Sequence, residues 1–118
     1  MHRDNRLLTE KQRQCVAACT SCAQICETCS DDMIGMGNHD DHDLMVQCIR
    51  LCRDCADICM LTAQWLCRVS SWSEELCQFC ADVCEQCSPI HASNMLHNIH
   101  CAANVQRNAA GARHCAKN

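Results

Sequence analysis

Thiol and small apolar side chains recur along this chain at intervals of three and four. Cysteines stand at 15, 19, 22, 26 and 29, then at 48, 52, 55 and 59, then at 77, 80, 84 and 87. Steps of three and four average 3.5 residues, the period of a helical seam buried in a bundle. The pattern therefore predicts three cysteine-faced helices. A fourth follows from Ile90, Met95, Leu96, Ile99, Ala102, Ala103, Val105 and Ala109, which also share one helical face.

Capping signals set the expected boundaries. Thr9 and Gln12 can form a capping box, so helix 1 is expected over about 9–34, ending before Gly35 and Gly37. A polar loop follows, and helix 2 spans about 41–69. Ser71 and Glu74 form a second box, opening helix 3 over about 72–87. Ser88-Pro89 either breaks the chain or caps a fourth helix over about 89–110, which Gly111 ends or weakens. The expected fold is all-α: an antiparallel up-down four-helix bundle with a cysteine-lined core, one domain over residues 1–118.

That topology gives the two ends different chemistry. Met33 and Met36 continue the helix 1 stripe in phase, Met45 extends the helix 2 stripe backwards, and His91 follows Cys87 by four residues. With His39, His42, Met95, His97 and His100 they gather at one end, as a mouth of thioethers and imidazoles. Leu7, Leu8, Trp65, Leu66, Val69, Trp72 and Leu76 gather at the other, as a hydrophobic plug.

Composition narrows the function. The chain has 118 residues, 16 of them cysteine, with two tryptophans, one phenylalanine and no tyrosine. So few aromatics exclude a base-stacking surface, and the net charge of -4 argues against a polyphosphate partner; no nucleic acid is expected. No stretch is long and apolar enough to span a membrane. The N-terminus shows no secretory signal, and 3 glycines and 1 proline do not suit a loop-rich disulfide scaffold. Thiols along one helix face also point the same way, with little freedom to reach disulfide geometry. The expected compartment is the reducing cytoplasm.

Thiolates are soft ligands that select Cu(I), Zn(II) or iron–sulfur clusters. Cysteines at i and i+4 can clamp one ion, and a neighbouring helix can add a third sulfur. A continuous stripe suits a row of ions. Methionine suits Cu(I) and is a poor Zn(II) ligand, so methionines grading into the thiol column favour copper. The expected ligands are Cys15, Cys19, Cys22, Cys26, Cys29, Cys48, Cys52, Cys55, Cys59, Cys77, Cys80, Cys84 and Cys87, with Cys101 added. Met33, Met36, Met45, His91 and His100 are the residues expected to pass copper in. Cys115 is a further candidate, whereas Cys67 and Met60 lie off the helix 2 stripe and read as core packing.

The rival readings are a structural or regulatory zinc bundle and a thiol redox buffer. Structural zinc takes four thiols per site and leaves the remainder unexplained. Iron–sulfur ligation uses different spacings, usually on loops. No thiol is singled out beside a histidine and an orienting group, so an enzyme is not expected.

With these residues in view, the chain resembles the cytosolic copper storage proteins, which are cysteine-rich four-helix bundles. The resemblance rests on Cys15-x3-Cys19-x2-Cys22-x3-Cys26-x2-Cys29, on Cys48-Ile-Arg-Leu-Cys52-Arg-Asp-Cys55-Ala-Asp-Ile-Cys59, and on Cys80-Ala-Asp-Val-Cys84-Glu-Gln-Cys87. It implies a homotetramer whose bundles each store many Cu(I) ions on cysteine pairs behind a histidine and methionine mouth. After Cys87 the chain departs from the family pattern. His100-Cys101 is present, but the in-phase positions beyond it are Asn104, Asn108 and Gly111, with Cys115 last, and position 91 is histidine. Two expectations follow: a fourth wall that is polar and lower in capacity, or a tail whose last helix is short or poorly packed.

Overall fold

The computed structural model describes residues 8–36, 42–94 and 107–113. Three long helices order the chain: α1 (Glu10–Met36), α2 (His42–Cys67) and α3 (Ser73–Asn94). A further helical segment covers 107–113, and there is no strand among the described residues. α2 packs against both α1 and α3. At 26 residues α2 is about 39 Å long, enough for a column of side chains.

The sulfur contacts show the direction of each helix. On α2 and α3, Cys55 meets Cys84 and Cys59 meets Cys80, so rising numbers on one helix meet falling numbers on the other. On α1, Cys22 meets Cys55, and Cys26 groups with Cys55 and Cys87. Hence α1 and α3 run the same way and α2 runs against both, the up-down course of an antiparallel bundle.

The start of α1 is the capping box read from the sequence. Thr9 N–H donates to Gln12 Oε1, and Gln12 N–H donates to Thr9 Oγ1, both at 3.0 Å. The helix then runs through Gly35 to Met36, two residues past the expected stop. Gly35 meets nothing within 4 Å of a Cβ position, so no close approach there requires glycine.

α2 ends at Cys67 rather than Val69. Ser70 N–H donates to Trp65 O and Val69 N–H donates to Leu66 O, both at 3.0 Å, which is a Schellman closure. The left-handed position belongs to Val69, at φ 52°. A β-branched residue there is strained by about 1–2 kcal/mol. α3 starts at Ser73, and the hydroxyl of Ser70 accepts the Trp72 N–H at 3.2 Å. Trp72 O then accepts from Leu76 N–H. The box expected between Ser71 and Glu74 does not open the helix, because the tight closure of α2 already positions Ser70 against it.

Pro89 does not stop α3, which is continuous to Asn94. Proline removes one main-chain bond and costs an interior helix about 3 kcal/mol. Cys77, Cys80, Ala81, Cys84 and Cys87 are all buried, and their docking sets the axis along which the following turns extend.

The core consists of thiols and alanines. Cys19, Cys22, Cys26, Cys48, Cys52, Cys55, Cys59, Cys77, Cys80, Cys84 and Cys87 are wholly buried, with Ala23, Ala56, Ala63 and Ala81 between them. The plug is narrower than expected. Leu66 is buried, but Val69 and Trp72 face solvent, Trp72 being 62% exposed. The Schellman turn directs the chain outward there. Cys67 and Met60 are also exposed instead of packed in the core, since both lie on the α2 face that carries Arg53, Asp57 and Gln64 outward.

Candidate metal centre

The helical phase brings the expected ligands to one axis. Cys22, Cys55, Cys59 and Cys84 place their sulfurs within 4.8 Å of one another, and Cys26, Cys55 and Cys87 form a second group. Individual separations are 4.0 Å for Cys22–Cys55, 3.9 Å for Cys55–Cys59, 3.4 Å for Cys55–Cys84 and 3.6 Å for Cys59–Cys84. Cys80 joins through Cys59 at 3.8 Å. Sulfurs that share a metal at about 2.3 Å in a tetrahedron stand about 3.8 Å apart. The thiols are therefore spaced to take ions with little movement. Among the described residues no cysteine is in a disulfide.

The remaining expected residues are placed as follows. Cys15 is 5% exposed at the plug end, near the start of α1. Cys48 and Cys52 are buried along α2 toward the other end, where Met33 and Met45 are also buried. Cys29 is only half-buried, and Ser30 takes the inward position, its hydroxyl donating to Glu27 O at 3.0 Å. Met36 and His91 lie in α1 and α3, with side chains outside the described residues. His100, Cys101 and Cys115 lie outside the described residues entirely.

The thiols titrate as a set, because each proton is shared among neighbours. The hydrogen bond from Cys26 pulls Cys22 down to about 5, with Cys55 opposing, Cys59 and Cys84 helping, and burial also opposing. Cys55 is lowered by its bond with Cys22, and Cys80 by its bond with Cys19. Cys59 and Cys84 move the other way: hydrogen bonding to Cys19 and Cys22 respectively holds their protons, and burial adds to both. The core thus divides into thiolate-prone acceptors and proton-holding donors.

Its electrostatics are one-sided. Among the described residues the buried polar side chains are Ser30, Thr62 and Asn108, so no buried cation balances a thiolate. Asn108 is the residue that cysteine spacing alone does not mark. It sits in the helical segment 107–113, 2% exposed, with Nδ2 at 3.3 Å from Cys59 Sγ and 3.6 Å from Cys84 Sγ. A helix therefore passes through Asn108, and the fourth wall is polar at this point. Ala109 and Ala112 bury beside it, and Arg113 clamps Asp82 and Glu85 on the outer face of α3. The signal for Asn108 was its phase with the expected fourth seam.

A model of the copper storage protein family matches residues 8–118. The chain belongs to the copper storage protein family. Among solved structures, it is similar to the Cu(I)-bound copper storage protein BsCsp3, with 30% identity and a TM-score of 0.81. The match covers 91% of this chain and 99% of that one. No curated protein matches the chain. In this chain the thiols of α1, α2 and α3 line the inside of the bundle. Among the described residues no helix is long and apolar enough to cross a membrane.

Proposed function

We propose that this protein sequesters and stores Cu(I) on the thiolates of its core. The observation that carries the reading is charge. The core collects at least a dozen buried sulfurs and no buried cation among the described residues. One Cu(I) per bridging thiolate leaves such a core neutral. A tetrahedral Zn(II) on four thiolates leaves two negative charges at each site, a costly excess in a low-dielectric interior. Metal loading removes the thiol protons and cancels the charge in the same step.

The proposed ligands are Cys15, Cys19, Cys22, Cys26, Cys29, Cys48, Cys52, Cys55, Cys59, Cys77, Cys80, Cys84 and Cys87, with Cys101. Met33, Met36, Met45, His91 and His100 pass copper toward them. Two thiolates per ion give roughly six Cu(I) per chain and still leave negative charge in the core; bridging removes that charge and raises the count toward ten or more. The protein acts as a binding protein of the cytoplasm, one bundle per chain, without catalytic turnover. A homotetramer is supported by exposed apolar side chains: Trp72 and Phe79 are 62% and 57% exposed. Single exposed apolar residues are ordinary, but these lie together with Trp65 and Leu76.

Anaerobic titration of reduced protein with Cu(I), and separately with Zn(II), tests the reading. Uptake of about six or more Cu(I) per chain is expected. Saturation at one or two, or an equal preference for Zn(II), would overturn it.

A further inference from the structure

The thiol column has a second end, and a cavity borders it. About 180 Å³ of space lies where the start of α1, the end of α2 and the start of α3 meet. Gln12, Leu66, Ser70, Ser73, Glu74 and Cys77 line it. Cys77 is wholly buried and is the first thiol of α3, at the end opposite the buried Met33 and Met45. Ser70 is committed, its hydroxyl accepting the Trp72 N–H. Ser73 is not: its Oγ is buried with no partner. A buried hydroxyl in a polar cavity calls for an occupant that can hydrogen-bond to it.

Size and charge narrow that occupant. The volume falls below the roughly 300–1,000 Å³ of pockets for drug-sized ligands, so only a few heavy atoms fit. Glu74 is the charged side chain of the lining, and Glu75 joins it in the first turn of α3. Two carboxylates outweigh the positive end of the helix, which carries about half a charge. The cavity therefore favours an ammonium over a carboxylate. Cys77 in the wall adds a demand for a soft atom, since an occupant that acts on copper there must offer sulfur. Because Cys77 is wholly buried, the occupant reaches it as the wall opens. Ser70 follows Val69, held at φ 52°, so the strained turn is the part of the wall that yields.

We propose that this cavity binds a small aminothiol, which withdraws Cu(I) from Cys77 by ligand exchange. Its ammonium faces Glu74 and its sulfur faces Cys77. The inference rests on the Cu(I) storage reading. The incoming sulfur bonds the copper held by Cys77, and the bond from copper to Cys77 breaks. The proton of the incoming thiol passes to the freed Cys77 sulfur. Copper remains Cu(I), so nothing is oxidised or reduced. The mouth of thioethers and imidazoles lies at the other end, so loading and unloading use separate ends of the bundle.

The test follows transfer from Cu(I)-loaded protein to an excess of a chromophoric chelator, anaerobically, with a small thiol as carrier. Cysteamine carries an ammonium, and 3-mercaptopropionate, of similar size, carries a carboxylate. Cysteamine is expected to speed transfer saturably. The ratio of its rate to that of 3-mercaptopropionate is expected to fall about twofold to fivefold in Glu74→Gln, which cancels their intrinsic reactivities. Ser73→Leu, which fills the cavity, is expected to abolish saturation. A rate linear in cysteamine, an unchanged ratio in Glu74→Gln, or unaltered saturation in Ser73→Leu overturns the proposal. A second readout needs neither copper nor a variant. Metal-free wild type treated briefly with 2-bromoethylamine is expected to be alkylated at Cys77 ahead of the equally buried Cys80 and Cys84, as mapped by peptide mass spectrometry. Cys77 reacting no faster than those two overturns the proposal. Wild type that takes up only one or two Cu(I) overturns the storage reading instead, and the alkylation order still reports on the cavity, so the two failures are distinguishable.

Discussion

Cys55 Sγ on α2 lies 3.4 Å from Cys84 Sγ on α3. Through this contact Cys55 belongs to the four-thiol group, and it also belongs to the three-thiol group with Cys26 and Cys87. A thiolate shared by adjoining groups can bridge ions of both. Removing it should therefore cost more than one ligand's share. Cys55→Ala is expected to lower Cu(I) capacity by about two or more ions per chain. Cys67→Ala should leave capacity unchanged, because Cys67 faces solvent. Anaerobic loading followed by gel filtration and copper analysis compares the two. Equal capacities would show that Cys55 bridges nothing.

The pH dependence of loading follows from which thiols hold protons. Cys59 and Cys84 are raised, so near neutrality they are protonated without metal and deprotonated with it. Copper must displace those protons, and its apparent affinity should rise with pH. Cys22, lowered to about 5, is already a thiolate near neutrality and adds to the slope only below about pH 5. For the metal-free fold the signs are opposite. The raised pair contributes stability that is present below the unfolded thiol value and lost as pH rises. Cys22 contributes stability that is present above the unfolded value and lost as pH falls through about 5. Chelator competition across pH 6–8 measures the first effect, and metal-free thermal melts on both sides of the thiol range measure the second. A flat affinity profile would contradict the assignment.

Val69 holds φ at 52° where the Schellman closure of α2 favours glycine. Val69→Gly should stabilise the metal-free protein by about 1 kcal/mol, offset in part by the greater freedom of glycine in the unfolded chain. Cu(I) capacity should not change, since the turn lies outside the thiol column. Chemical denaturation of both proteins checks the sign. A loss of stability would mean that Val69 makes packing contacts that outweigh its strain.

The three-and-four spacing made the inward faces of α1, α2 and α3 legible before any coordinates. It identified Cys22, Cys55, Cys59 and Cys84 because phase alone determines which side of a helix meets its neighbours. The capping box of Thr9 and Gln12 was legible for the same reason, being a local interaction between near neighbours. Where the outcome depended on tertiary docking, the pattern misled. Pro89 reads as a stop, but α3 is already fixed by its buried thiols. Trp72 and Val69 read as core, but the tight closure of α2 turns them outward. Asn108 was legible as an in-phase position only. Its contact with two sulfurs depends on how 107–113 seats on α3, which spacing does not encode.

That seating makes its own prediction. Arg113 donates to Asp82 at 2.8 Å and to Glu85, and the guanidinium lowers the Glu85 carboxyl below its usual range. Arg113→Ala should free the segment while leaving the three long helices intact. Hydrogen exchange is expected to quicken over 107–113, with protection of α1, α2 and α3 unchanged. Because the Glu85 value is depressed, the pair's contribution is present above the unfolded value and fades as pH falls through the folded one. Acidification of wild type should therefore loosen the same segment. Uniform loss of protection in the variant would show instead that the clamp supports the whole bundle.

The aromatic residues of the chain number three, Trp65, Trp72 and Phe79, and all three line one surface groove with Leu76. Trp72, just before α3, and Leu76 and Phe79 on it are spaced by four and three, so they form a stripe beside the thiol face, with Leu76 packed against the core and Trp72 and Phe79 exposed. Burying this stripe against a second copy would remove apolar area from water at about 25 cal/mol per Å2. A charge placed in it should oppose association and leave the inner face of α3 untouched. Phe79→Glu is expected to shift the protein toward monomer in sedimentation velocity, with Cu(I) capacity per chain unchanged. Wild type that sediments as a monomer would contradict the proposed tetramer. An oligomer unaffected by Phe79→Glu would place its interface on another face.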